Sequence, residues 1–116
     1  MRPILGVDIE ELARFQSPTD ALVHRILSDA ELTVYRAFQS DARKAEYLAG
    51  RFAGKEAYKK AYQTFQSHVQ FKDVSILNRD DGSPYIVSSY RPDDALLISL
   101  SHSDHYVVVV VTGETT

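Results

Sequence analysis

Glu56 and Lys60 stand one helical turn apart in the segment Ala49-Gly50-Arg51-Phe52-Ala53-Gly54-Lys55-Glu56-Ala57-Tyr58-Lys59-Lys60, with Phe52 one turn before them. A carboxylate and an ammonium held side by side on a rigid helix suit a metal-bound phosphate: the carboxylate takes the ion and the ammonium meets phosphate oxygens. Such pairs are also common as solvated helix decoration, and on spacing alone that plainer use comes first. Asp8 ends an apolar stretch. There it either caps the next segment or ligates a cation. Mg²⁺ takes one or two protein carboxylates and fills its octahedron with water and substrate oxygens. Asp8 and Glu56 would supply that pair if the first strand packs beside the helix, which spacing alone does not decide. Arg43 is open to a solvated or a phosphate-binding role, as is Lys60. Ser101 and His102 are adjacent on a strand, so their side chains point to opposite faces and do not make a Ser-His dyad. His102, Asp104 and His105 lack a compact zinc-ligand motif and read as polar loop residues between buried strands.

The elements that must position these groups change character halfway along the chain. Ile4 to Ile9 reads as a strand, and Glu10 to Phe15 as a short helix or turn. Ser17-Pro18-Thr19-Asp20 offers caps for a short helix through about Leu27. Ser28-Asp29-Ala30-Glu31 has the form of a capping box opening a second helix, Asp29 to about Phe38. Ser40-Asp41 caps a long helix to about Gln63, supported by its Ala, Leu, Glu, Lys and Arg content. Gly50 and Gly54 each cost about 1 kcal/mol relative to Ala in a helix interior. They lie one turn apart, so one face is bare backbone against which something packs closely. Strands follow: Phe71 to Leu77, a turn over Asn78-Arg79-Asp80-Asp81-Gly82-Ser83, a return from Pro84 to Val87, then Ala95 to Ser101 and His105 to Thr112. Gly113 to Thr116 reads as a frayed tail. The order predicts one α+β domain over 1–116, with an antiparallel sheet packed on a long helix.

Composition narrows the function classes. The chain has 116 residues, 44% hydrophobic and 25% charged, enough for one core. It has no cysteine, which excludes disulfides, thiolate nucleophiles and cysteine metal sites. No apolar run approaches the roughly 20 residues of a membrane span. No signal peptide is expected at the N-terminus, and the default location is cytoplasmic. A net charge of -3 gives no global field for nucleic acid. Any anionic partner would dock on a local patch, and Arg36, Arg43, Lys44, Arg51, Lys55, Lys59 and Lys60 cluster in one mostly helical stretch.

Four blocks carry a resemblance: Gly6-Val7-Asp8-Ile9-Glu10, Arg51-Phe52-Ala53-Gly54-Lys55-Glu56-Ala57-Tyr58-Lys59-Lys60-Ala61, Gly82-Ser83-Pro84-Tyr85 and Ile98-Ser99-Leu100-Ser101-His102-Ser103. Arg25 to Leu32 and Phe71 to Val74 extend it. Over nearly the whole chain this order resembles the holo-acyl-carrier-protein synthases, the small bacterial type of phosphopantetheinyl transferase. The resemblance implies transfer of the phosphopantetheine arm of coenzyme A to a serine of apo-acyl carrier protein, in support of fatty acid biosynthesis, releasing adenosine 3',5'-bisphosphate. It implies that Asp8 and Glu56 hold Mg²⁺ against the pyrophosphate and that Lys60 pairs with phosphate oxygens, with Glu56 the candidate acceptor of the serine proton. Arg43, Arg51 and Lys55 would touch phosphate or the adenine side. Gly82, Pro84, Ser101 and His102 would line the nucleotide pocket. Arg14, Phe15, Arg25 and Ile26 would dock the acidic carrier protein. A homotrimer with sites at subunit interfaces is expected, with no nucleic acid or membrane partner. Residues 61–68 carry no glycine where the family has a glycine-rich turn. That departure is the feature favouring a non-catalytic module of the same fold that binds coenzyme A or a carrier protein. A metal-dependent phosphohydrolase is a further alternative.

Overall fold

The computed structural model describes residues 2–63 and 69–115. β1 (Arg2–Glu11) enters a 3-10 turn (Leu12–Phe15), and three helices follow: α1 (Asp20–Ile26), α2 (Asp29–Ala37) and α3 (Asp41–Ala61). A second 3-10 turn (Phe71–Asp73) leads into β2 (Val74–Asn78), β3 (Pro84–Ser88), β4 (Ala95–His102) and β5 (Tyr106–Thr115). One antiparallel sheet has the order β1-β5-β4, and β2 and β3 form a hairpin. The sequence ranges hold with two corrections. Phe71–Asp73 is helical rather than extended: Asp73 accepts from the Gln70 amide at 3.0 Å and Phe71 O accepts from the buried Lys55 ammonium at 3.0 Å. The tail is not frayed, because β5 pairs with β1 out to Arg2↔Thr115.

Local chemistry explains the helix starts. Thr19 accepts from the Leu22 amide at 3.1 Å, and Ser40 from the Arg43 amide at 3.2 Å. Ser28 and Glu31 close the capping box reciprocally. The Glu31 carboxylate has further uses. It accepts from Lys55 Nζ at 2.5 Å and from the Ile76 amide at 2.7 Å, so α2, α3 and β2 meet on one buried anion.

α3 lies against the sheet through a row of small residues. Ala49, Ala53, Ala57 and Ala61 join Val107, Val109 and Val111 in the core. The two helical glycines face the sheets: a Cβ on Gly54 would stand 2.3 Å from Ile76 Cδ1, and one on Gly50 would stand 3.1 Å from Leu100 Cδ2. The tightest approach is at Gly6, where a Cβ would lie 1.9 Å from the Ala57 carbonyl oxygen and 2.6 Å from the Ala61 nitrogen. Backbone thus meets backbone between β1 and α3. Gly6→Ala is expected to cost about 2–3 kcal/mol, since neither wall is a side chain that can swing away. Urea unfolding measures this, and a loss within error of zero would show that β1 can lift off α3 freely.

Candidate active site

The close approach at Gly6 carries Asp8, two residues on, to the last turn of α3. Asp8 faces the helix and is 9% exposed. Its Oδ1 accepts from Lys60 Nζ at 2.9 Å, and the same ammonium donates to Val7 O at 3.2 Å. Its Oδ2 is buried with no hydrogen-bond partner among the described residues. An ionised oxygen left in that state is costly, so this side of Asp8 is shaped for something else. Glu10 shares the face of Asp8 by the two-residue period of the strand. Its carboxyl is pushed up to about 7, first by burial, then by the neighbouring Asp8 carboxylate and its charge; Glu56 adds to the rise and Arg14 opposes it. Arg14, in the following 3-10 turn, pairs with Glu10 near the end of β1. Asp8, Glu10 and Glu56 therefore share one electrostatic environment, with Lys60 and Arg14 as the cations beside it.

Carboxylate oxygens with one buried lone oxygen fit a hard divalent cation. Among the described residues no set of three or more such side chains forms a metal cage by itself. A cation held here would keep positions open to water or a ligand, as Mg²⁺ does on few carboxylates.

The raised Glu10 has a pH signature. Its proton is bound more tightly in the folded chain than at the ordinary value of 4.5. The stability it contributes is full below about 4.5 and is lost as pH rises through about 7. The urea midpoint without divalent ions should fall between pH 5 and pH 7.5, and Glu10→Gln should flatten that fall. An unchanged slope in the variant would place the titration elsewhere.

A second cluster lies around a cavity of about 720 Å³ between the first half of α3, the β2–β3 hairpin and β4. Arg43, Arg51, Gly82, Pro84 and His102 all line it. Arg51 is only 6% exposed; its Nε donates to Ile76 O at 3.1 Å, its Nη2 donates to Asn78 Oδ1 at 2.6 Å, and its guanidinium lies 4.0 Å from the Tyr47 ring centroid. His102 Nδ1 stands 3.6 Å from Glu46 Oε2. The helical rise places Arg43 and Lys60 about 25 Å apart along the axis. One chain thus carries two separate clusters, one on each half of α3.

Several expected residues stand elsewhere. Lys55 is fully buried, and its ammonium donates to Ile26 O at 2.6 Å, Glu31 Oε1 at 2.5 Å and Phe71 O at 3.0 Å. With all three protons engaged it has none for a phosphate, so its role is to join elements of the fold. Ser101 does not line the cavity; it pairs with Val108 on the outer face of the sheet, opposite His102. Ile26 and Phe15 are 0% and 3% exposed, so neither offers a docking surface directly. Phe15 instead supports Arg14, whose guanidinium lies 5.4 Å from the Phe15 ring centroid and 5.6 Å from that of Phe52. Arg14 and Arg25 are exposed. Residues 64–68, most of the glycine-free stretch after α3, lie outside the described residues. Sequence reasoning missed Glu10, Glu46 and Asn78. Strand alternation from Asp8 would have found Glu10, and one-turn spacing from Arg43 would have found Glu46.

Residues 4–111 match the model of the 4'-phosphopantetheinyl transferase superfamily, and the chain belongs to that superfamily. Within it, the chain falls among the holo-acyl-carrier-protein synthases. The holo-[acyl-carrier-protein] synthase of Anoxybacillus flavithermus is 42% identical over 114 residues, covering 95% of this chain and 93% of the relative. The crystal structure of a holo-(acyl-carrier-protein) synthase from Bacillus anthracis in complex with CoA (3',5'-ADP) superposes with a TM-score of 0.85 at 34% identity, covering 97% of this chain and 96% of that one. A Helicobacter pylori holo-[acyl-carrier-protein] synthase in complex with coenzyme A gives a TM-score of 0.78 at 27% identity, covering 93% and 97%.

Proposed function

We infer that this protein transfers the phosphopantetheine arm of coenzyme A to a serine of apo-acyl carrier protein, in support of fatty acid biosynthesis. The observation that carries the reading is Asp8: a buried carboxylate with one oxygen on Lys60 and the other unpartnered among the described residues, with both Asp8 and Glu56 acting on Glu10, in a chain of this family. The serine oxygen attacks the pyrophosphate phosphorus that bears the pantetheine arm. The P–O bond to the nucleotide breaks, and adenosine 3',5'-bisphosphate leaves. The nucleophile belongs to the carrier protein, which accounts for an enzyme with no serine or cysteine nucleophile of its own.

Asp8 and Glu56 would hold Mg²⁺, with Glu10 reinforcing the negative site. The ion would supply charge stabilisation at the pyrophosphate oxygens. Lys60 swings from Asp8 toward a phosphate oxygen and offsets charge developing there. Glu56 is the acceptor placed for the serine proton. The cavity between α3 and the hairpin takes the nucleotide, with Arg43, Arg51 and His102 around it. Arg14 and Arg25 present positive charge to the acidic carrier protein.

The two clusters on one chain suit a ring in which each completes the site of a neighbour. The outer face of the sheet supports such an assembly: Leu5, Val7 and Ile9 on β1 and Leu97 on β4 are 51–71% exposed. A homotrimer working in the cytoplasm is the expected form, and light scattering of the purified chain tests the trimer directly.

The decisive experiment is the intact mass of apo-acyl carrier protein after incubation with this protein, coenzyme A and Mg²⁺, with an EDTA control. A gain of one phosphopantetheine group that EDTA removes would establish transfer and its metal dependence. No gain with several carrier proteins, from folded protein that still binds coenzyme A, would leave a binding module of the same fold.

A further inference from the structure

Among the described residues, the side chain of Asn78 fastens the cavity wall formed by the β2–β3 turn to α3. Asn78 is the last residue of β2. Its Oδ1 accepts from Arg51 Nη2 at 2.6 Å, and its Nδ2 donates to the Gly82 carbonyl at 2.8 Å. The two bonds fix the orientation of the amide, because the guanidinium has only donors and the carbonyl only accepts. Arg51 is itself immobilised by Ile76 O and by the face of Tyr47. The chain of contacts therefore runs from rigid helix, through Asn78, to the turn.

Gly82 is the conformationally special residue of that turn. Its φ is +91°, in the region that favours glycine, and it lines the cavity next to Pro84. The turn has bonds of its own, Arg79 N to Ser83 O at 2.8 Å and Gly82 N to Arg79 O at 2.9 Å. These shape the turn internally but do not tie it to α3. Among the side-chain bonds of Asn78 and Arg51, the Arg51–Asn78–Gly82 relay does so.

We propose that Asn78 is a positioning residue that sets the hairpin wall of the nucleotide cavity by coupling Gly82 to Arg51. This rests on the reading of that cavity as the coenzyme A site. Asn78 itself lines the cavity, but with its amide engaged by Arg51 and by the Gly82 carbonyl it acts through the Gly82 backbone. It makes coenzyme A binding sensitive to a residue whose polar atoms are already engaged within the protein, while leaving the Asp8–Glu56–Lys60 cluster untouched.

The test is Asn78→Ala in the full chain, read three ways: coenzyme A affinity by calorimetry with Mg²⁺, steady-state kinetics for both substrates, and amide exchange at Gly82 and Ser83. The expected result is faster exchange at those amides and a Kd and KM for coenzyme A raised about fivefold to tenfold, as the loss of one or two positioning hydrogen bonds would give. The kcat and the KM for carrier protein should stay within about twofold, since a residue that only positions the nucleotide wall acts on ground-state binding. Faster exchange with unchanged coenzyme A affinity would overturn the proposal. So would weaker affinity with unchanged exchange, which would make Asn78 a direct contact. An equal fall in kcat would reduce the role to general stability. If the wild type does not bind coenzyme A at all, the reading of the cavity falls first and the proposal falls with it.

Discussion

Asp8→Ala and Glu56→Ala are each expected to lower transfer by at least ~10²-fold, the scale set by removing one group that stabilises transition-state charge. Each should leave the chain folded. Asp8 spends one oxygen on a partly exposed ammonium and the other on nothing, so alanine removes an unsatisfied buried atom as well as an ion pair. Lys60 is 38% exposed and returns to water when Asp8 is removed, so the cost of losing the pair is small. Among the described residues the Glu56 side chain has no hydrogen bond or ion pair that alanine would break, and alanine favours the helix. The check pairs turnover with Mg²⁺ binding by calorimetry and with a denaturant melt. Near-normal turnover in both variants would sink the metal assignment. Lost turnover with intact Mg²⁺ binding would move these residues from holding the ion to acting on the substrate.

Lys55→Ala should act in the opposite way, destabilising the chain by about 3–5 kcal/mol, the range for breaking one side of a buried ion pair. Three acceptors, Ile26 O, Glu31 Oε1 and Phe71 O, lose their donor together. Glu31 remains fully buried, with the Ser28 and Ile76 amides and the more distant Arg51 charge left to hold it. Burial presses the Lys55 ammonium toward its neutral form and the Glu31 carboxylate presses back, so each charge depends on the other. Denaturant unfolding measures the loss. Coenzyme A affinity, taken at a temperature where the variant remains folded, should match the wild type. A weakened affinity in stable protein would return Lys55 to the binding site.

These two predictions also show what was legible in the sequence. The caps were legible because a Ser with a Glu three residues on has one economical use at a helix start. The bare glycine face of α3 was legible because two glycines in a helix need a close neighbour. The metal candidates came from residue type, but their meeting depended on Gly6, whose packing against Ala57 no local pattern announces. Lys55 was expected to touch phosphate or the adenine side, because a lysine within a basic helix looks available to an anion. Its three acceptors come from Ile26, Glu31 and Phe71, distant in sequence. Phe15 and Ile26 were misread for a related reason: adjacency to exposed arginines on a short helical segment says little about which way each neighbour points. The tail was underestimated because its partner, β1, lies at the other end of the chain.

That last pairing has a consequence for biosynthesis. β1 is hydrogen-bonded only to β5 within its sheet, and the register joins Arg2 to Thr115. On the ribosome, Asp8 emerges well before Tyr106–Thr115, yet its strand has no sheet partner until β5 has cleared the exit tunnel. The long loop to be closed slows this step relative to the local helices. A nascent chain can thus form its capped helices early while the strand that presents Asp8 still lacks its place in the sheet. Synthesis of β5 is then the event that lets β1 join its sheet, and a product truncated before β5 would leave Asp8 on a strand with no sheet to join.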